Sequence, residues 1–179
     1  MPRKIILSLA MSLDGYILDK NGKFDWVVGD GYKNNDTKKQ FVFSEFLKST
    51  DTMVMGKKSY TDSSDEAMKM FKSQKIYVAS YDNVDTKYNN VKFIKGDIVS
   101  QITKLKKEEG KDIWIFGGAV IADLFIKADV IDEYIMAIIP VILGDGKTLF
   151  LENNPKLKLH MKECTVTEGI AMLKYTRRK

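Results

Sequence analysis

Two adjacent glycines, Gly117 and Gly118, join a short apolar run, "DIWIF", to a helix-like stretch, "AVIADLFIKA". A strand that stops at bare backbone and passes straight into a helix is a unit of α/β architecture, and the chain contains a second one. "DTMVMG" is a short apolar strand stopped by Gly56, and the Ser, Thr and Asp residues of "KKSYTDSSDEAMKMF" predict one or two short helical turns after it. "KIYVAS" and "VKFIKG" read as strands. "DIVSQITKLKKEEG" reads as a helix capped by Asp97, faced by Ile98, Val99, Ile102 and Leu105, and closed by Gly110.

The remaining segments extend the alternation. Residues 4–13, "KIILSLAMSL", set Ile5, Leu7, Leu9, Met11 and Leu13 against Ile6, Ser8, Ala10 and Ser12, a strand pattern with one face of unusually small residues. Such a face admits either a closely packed helix or a flat ligand. Asp14-Gly15 and Asn21-Gly22 signal turns, and a polar segment runs to about Asn35. Residues 36–49 predict a helix with Asp36 at its N-cap and a stripe of Val42, Phe43, Phe46 and Leu47. "DEYIMAIIPVIL" predicts a long strand interrupted at Pro140 by a bulge or edge, and "LKLHMKECTVTEGIAMLKYTRR" a terminal hairpin turning at Glu168-Gly169. Strands alternating with helices and ending in a hairpin give an α/β fold with a mostly parallel sheet and an antiparallel edge.

Composition excludes several classes. A chain of 179 residues, 44% hydrophobic with both charge signs interspersed, fits one domain over residues 1–179. No run approaches the roughly 18 apolar residues of a membrane helix, and the N-terminus lacks a signal-cleavage pattern, so a cytoplasmic protein without a membrane partner is expected. One cysteine, Cys164, and one histidine, His160, supply neither an internal disulfide nor a zinc site; no metal is expected. Four residues apart on a predicted strand, the two would share a face. The net charge of +5 comes from lysines dispersed among Asp and Glu, which reads as a solvated surface and not a nucleic-acid footprint.

Both glycine-stopped strand ends bring unpaired amides and a positive helix end together, a favourable setting for phosphate oxygens. At the first, Gly56 is followed by Lys57, Lys58 and Ser59; this is either a phosphate site or a plain turn with exposed lysines. At the second, Gly117 and Gly118 leave room for a diphosphate or simply permit a tight turn. Neither matches G-x-G-x-x-G. "GDGKT", residues 144–148, imitates the end of a P-loop, but Val141 stands where its first glycine is required, so the segment reads as a turn between strands.

Taken together, "SLDGYI", "DTMVMGKKSY" and "GGAVIADLFIKADVIDEYIMAIIPVILGDGKTLF" resemble, in order and spacing, the dihydrofolate reductase-like superfamily. They are most similar to its branch related to the reductase domain of the bifunctional riboflavin-synthesis deaminase-reductase, over Lys4 to Tyr175. The resemblance implies a three-layer α/β/α fold binding NADPH across the carboxyl edge of its sheet. By position, Ala10 and Ile17 would lie by the nicotinamide, and Gly56, Lys57, Lys58 and Ser59 would hold phosphate oxygens. Ser80 and Tyr81 would flank the adenosine end with its 2′-phosphate, and Gly117, Gly118, Ala119 and Val120 would cradle the diphosphate across a cis Gly117–Gly118 bond.

The chain also departs from these relatives. The acidic residue that dihydrofolate reductases carry on the first helix has only Glu45 nearby, its supporting threonine is matched by Met136, and the tyrosine after the diglycine by Ala122. The Asp-rich, proline-containing segment of the riboflavin-pathway enzymes is replaced by "KKSYTDSSDEAM". Asp25 and Trp26 stand where relatives place a mobile loop over the nicotinamide, so Trp26 either covers substrate or belongs to the core; Glu45 and Trp26 are the candidate catalytic residues. The resemblance implies an NADPH-dependent reductase of a pyrimidine or pteridine-type heterocycle, with 5-amino-6-(5-phosphoribosylamino)uracil as best substrate. Dihydrofolate reduction and non-catalytic NADPH binding are the alternatives. By analogy, a homodimer is expected.

Overall fold

Along the strand Asp112–Gly117, Ile113 and Ile115 pack into one apolar cluster while Trp114 and Phe116 pack into another on the opposite face. A strand buried on both sides has to sit inside a sheet covered by two helical layers. The computed structural model describes residues 2–82 and 85–178 and contains that arrangement. In chain order the elements are β1 (Ile5–Ser12), β2 (Tyr16–Asp19), α1 (Phe43–Ser49), β3 (Thr50–Gly56), α2 (Lys57–Thr61), α3 (Asp65–Met70), β4 (Lys75–Ala79) and β5 (Val91–Ile94). They continue with α4 (Ile98–Leu105), β6 (Asp112–Gly117), α5 (Ala119–Lys127), β7 (Glu133–Ile139), β8 (Gly146–Thr148), β9 (Leu159–Thr167) and β10 (Ile170–Arg177).

The main sheet has eight strands in the order β5-β4-β3-β6-β1-β7-β10-β9. Strands β5 through β7 in that order run parallel, and β10 joins β7 antiparallel, carrying the hairpin into the same sheet. Ile5, Leu7, Val54, Ile113 and Ile115 pack under α4 and α5, against Ile102, Ala122 and Phe125. Ile6, Met53, Met55 and Trp114 pack on the other face, against Phe46 of α1, Met68 of α3 and Phe71. The fold is therefore the expected three-layer α/β/α sandwich.

Three local expectations are corrected. The helix predicted for residues 36–49 begins only at Phe43, with Val42 extended at its N-cap position. Residues 30–37 instead form a strap on the hairpin. Asp30 N donates to Glu168 O at 2.9 Å, Thr37 N donates to Val166 O at 3.0 Å, and Asp36 Oδ1 accepts from Glu168 N at 2.7 Å. Asp36 is thus bound to the sheet edge and is not a helix cap; tertiary hydrogen bonds override the local pattern.

The predicted long strand through Pro140 ends at Ile139, and part of the "GDGKT" turn is itself strand β8, paired with β2 in a separate two-stranded sheet. Proline has no N–H to extend a ladder, so the chain leaves the sheet there. Asp14 holds this crossing: it accepts from Ser12 Oγ at 2.6 Å and from Gly144 N at 2.8 Å. The Ser12 hydroxyl and these amides keep its carboxyl below the ordinary range.

The third correction concerns His160 and Cys164. Lys174 pairs with Glu163 but Tyr175 pairs with Met161, so Lys162 is an extra residue in β9. This bulge inverts the alternation. Cys164 lies opposite Leu173 and His160 opposite Thr176, which puts the two on opposite faces.

Candidate functional site

β3 and β6 are neighbours, with Met55 opposite Gly117, so their glycine-stopped ends lie side by side at the carboxyl edge of the sheet. Ser59, in α2 after the first glycine, accepts a hydrogen bond from Gly118 N, after the second, at 3.0 Å. The Gly117–Gly118 peptide bond is cis and Gly117 has φ +111°. A Cβ at Gly56 would come within 3.3 Å of Ile121 Cγ1, so α5 packs closely over the end of β3 and a larger residue there would have to displace that side chain by a few tenths of an ångström. Neither Gly56 at the start of α2 nor Gly118 at the start of α5 has a side chain to cap the helix, which leaves the first amides of each for a ligand.

A cleft of about 950 Å³ opens over these two turns. Of the residues expected to bind cofactor, Ala10, Ile17, Gly56, Lys57, Lys58, Ser59, Ser80, Tyr81, Gly118, Ala119 and Val120 line it. Gly117 is buried behind the surface and contributes its backbone shape. Lys57 is ion-paired with Asp82, and Lys58 Nζ lies 2.8 Å from Asp62 Oδ2. The hydrogen bond from Lys57 holds the Asp82 carboxyl below its ordinary range. Ser80 is buried, and its hydroxyl accepts from Asp82 N at 3.2 Å, whereas Tyr81 is 91% exposed.

The two catalytic candidates do not line the cleft. Trp26 is half-buried with its Nε1 donating to Lys23 O at 3.1 Å, and its neighbours Phe24 and Val27 reach the cleft instead. Glu45 is exposed on α1, and the residue of that helix lining the cleft is Phe43. With the helix starting at Phe43 and anchored through Phe46, Glu45 is directed to solvent.

Two groups of lining residues were missed. Lys95, Gly96 and Asp97 border the cleft between β5 and α4, and "FIKGDI" is a third handover of the same strand–glycine–helix form, so the signal was present. The aromatic residues Phe43, Phe71, Trp114 and Phe116 also line it. Alternation in "DIWIF" separates Trp114 and Phe116 from the isoleucines but does not say which face meets a ligand. Among the described residues, no group of three His, Cys, Asp or Glu side chains could hold a metal ion. No helix among them is long and apolar enough to cross a membrane.

Residues 3–172 match the family model described as the RibD C-terminal domain. The chain belongs to the RibD C-terminal domain family. A relative in Bacillus subtilis (strain 168), the uncharacterized protein YyaP, is 36% identical over 188 residues, which cover 97% of this chain and 94% of the relative. Among solved structures, a Shewanella sp. PV-4 protein is similar with a TM-score of 0.78 and 27% identity over the whole of both chains. The Thermotoga maritima diaminohydroxyphosphoribosylaminopyrimidine deaminase/5-amino-6-(5-phosphoribosylamino)uracil reductase has a TM-score of 0.70 at 15% identity, over 99% of this chain and 57% of its own. Enterococcus faecalis dihydrofolate reductase, complexed with NADP(H), has a TM-score of 0.66 at 19% identity, over 98% and 97%. The RibD-type domain therefore has a dihydrofolate reductase-like fold.

Proposed function

We propose that this chain is an NADPH-dependent reductase that transfers hydride to a pyrimidine or pteridine-type heterocycle. The observation that carries this reading is the single cleft running from Ala10 and Ile17, past Gly56–Ser59 and Gly118–Val120, to Ser80 and Tyr81. Its volume lies near the top of the roughly 300–1,000 Å³ of small-molecule pockets, which suits a cofactor with a substrate beside it. When bound, NADPH supplies the hydride from its nicotinamide ring. The bare backbone at Gly56 and Gly118 lets amides meet the diphosphate, and the small Ala10 side chain lets a flat ring lie against β1. Phe24 and Val27 also line the cleft, and a ligand that covers them would help exclude water.

The activity named for the Thermotoga relative makes 5-amino-6-(5-phosphoribosylamino)uracil the first substrate to assay. Fluorescence titration should give NADPH a micromolar dissociation constant, and NADPH oxidation should follow on addition of a reducible heterocycle. Absence of NADPH binding would remove the basis of the reading.

A non-catalytic NADPH-binding protein is the second reading, favoured by one observation. The carboxylates lining the cleft, Asp62 and Asp97, are both engaged, one by Lys58 and one as the cap of Ser100 N. It predicts cofactor binding without oxidation across pterins, flavins and aminouracils. Dihydrofolate reduction is disfavoured by the outward Glu45, and turnover of dihydrofolate with methotrexate inhibition would restore it. We also propose a homodimer, formed through the exposed edge of β9, where Leu159 and Met161 face solvent.

A further inference from the structure

The small face of β1 carries two serines that differ in what they bind. Ser12 is fully buried and committed: its hydroxyl donates to Asp14 Oδ1 at 2.6 Å and accepts from Tyr16 N at 2.9 Å. Ser8 is 8% exposed and lines the cleft, yet its hydroxyl has no hydrogen-bond partner among the described residues. Interior polar side-chain atoms without a partner occur on Thr103, Asp123, Tyr134 and Asn154, and the Ser8 oxygen is not one of them. It therefore faces the open cleft instead of being sealed behind it.

The other serines lining the cleft are engaged. Ser59 Oγ accepts from Gly118 N at 3.0 Å, Ser63 Oγ donates to Ser59 O at 2.7 Å, Ser64 Oγ accepts from Ala67 N at 3.2 Å, and Ser80 Oγ accepts from Asp82 N at 3.2 Å. Position adds a second constraint. Ser8 precedes Ala10 by two residues on the same face of β1, roughly 7 Å along the strand. Trp114 Nε1 donates to Ser8 O at 2.9 Å, so the carbonyl already has a partner and the hydroxyl is the group left for a ligand. Phe43, Trp114 and Phe116 line the same cleft and offer that hydroxyl no acceptor or donor of their own.

We infer that Ser8 is a specificity-determining residue: its hydroxyl pairs with a carbonyl or amino group on the edge of the substrate heterocycle, and the cleft takes rings that carry such a group. The inference rests on the reductase reading and names the contact by which that site recognises its heterocycle. A ring that covers so buried a hydroxyl must pair with it, or else leave it without water at a cost comparable to a lost hydrogen bond. A ring without a polar edge is discriminated against for the same reason, since the site's own polar group is then left unpaired. The contact concerns the ring alone, so it holds equally for a heterocycle that bears a phosphoribosyl group.

Calorimetric titration of the full chain saturated with NADP⁺ tests it. The ligands are quinazoline-2,4-dione, a fused pyrimidine with carbonyl and N–H groups on its edge, and naphthalene, which has the same two-ring outline and no polar edge. The dione should bind more tightly than naphthalene. Ser8→Ala should weaken the dione about three- to tenfold, the worth of one neutral hydrogen bond, and leave naphthalene and NADP⁺ within about twofold. The urea midpoint of the variant should be unchanged or raised, because the hydroxyl makes no bond within the protein. A dione that does not bind, binds no better than naphthalene, or is indifferent to Ser8→Ala overturns the inference. A parallel loss of both rings, or a lowered urea midpoint, also overturns it, because the hydroxyl would then be serving packing. NADP⁺ binding is titrated separately in the same preparation, so its failure, which sinks the reductase reading, is distinct from each of these results.

Discussion

Ser59 joins two turns that are far apart in the sequence, and its hydroxyl is the side-chain partner of Gly118 N. Ser59→Ala should lower stability by about 1 kcal/mol, the worth of one partly buried hydrogen bond, and weaken NADPH binding several-fold. Urea unfolding and fluorescence titration read the two effects separately. Gly117 makes a second prediction. At φ +111° any side chain is strained, so Gly117→Ala should cost about 1–3 kcal/mol although nothing stands within 4 Å of the added Cβ. The glycines were legible in the sequence as bare strand ends. The role of Ser59 was legible only as a hydroxyl near phosphate, because its acceptor function depends on β3 and β6 being adjacent.

At the scale of elements, strand and helix identity came through from periodicity and capping wherever a segment packed on the main sheet. It failed where long-range bonds decided the matter: the strap took Asp36 and Thr37 out of a predicted helix that then begins only at Phe43, and one extra residue in β9 separated His160 from Cys164. Neither leaves a local mark, since the strap's partners are on the hairpin and the bulge is defined by its opposite strand. Aromatic packing under α1 predicts a large effect. Phe46 is 6% exposed and contacts Phe41, Phe43 and Trp114, so Phe46→Ala should cost about 3–5 kcal/mol in thermal or urea unfolding.

The start of β7 carries a pH-dependent contribution. Burial pushes the Glu133 carboxyl up, but hydrogen bonds from Lys4 and Lys174 outweigh it and the net shift is below the ordinary 4.5. A carboxyl that is more acidic when folded stabilises the protein above its unfolded value, and that stability is lost as pH falls through the lower native value. Glu133→Gln should therefore flatten the stability curve below pH 4.5. At neutral pH it should cost about 2 kcal/mol, moderated because both lysines are partly solvated.

For the molecule as a whole, light scattering should report twice the 20.4 kDa of one chain, and Met161→Lys should shift it toward the monomer by placing charge on the β9 edge. A monomer at tens of micromolar would count against pairing through that edge. The layered architecture could be read from the alternation of segments, whereas the aromatic half of the cleft could not, because it gathers side chains from α1, the α3 region and β6 onto one face. The strap has a practical corollary. It follows the cleft-lining residues Phe24 and Val27 in the chain and is bonded to the turn at Glu168, so a fluorophore or affinity tag grafted onto that turn would disturb how those lining residues are held. Probes intended to leave the cavity alone belong at the opposite edge of the sheet, for example on the exposed Glu108 and Glu109 after α4.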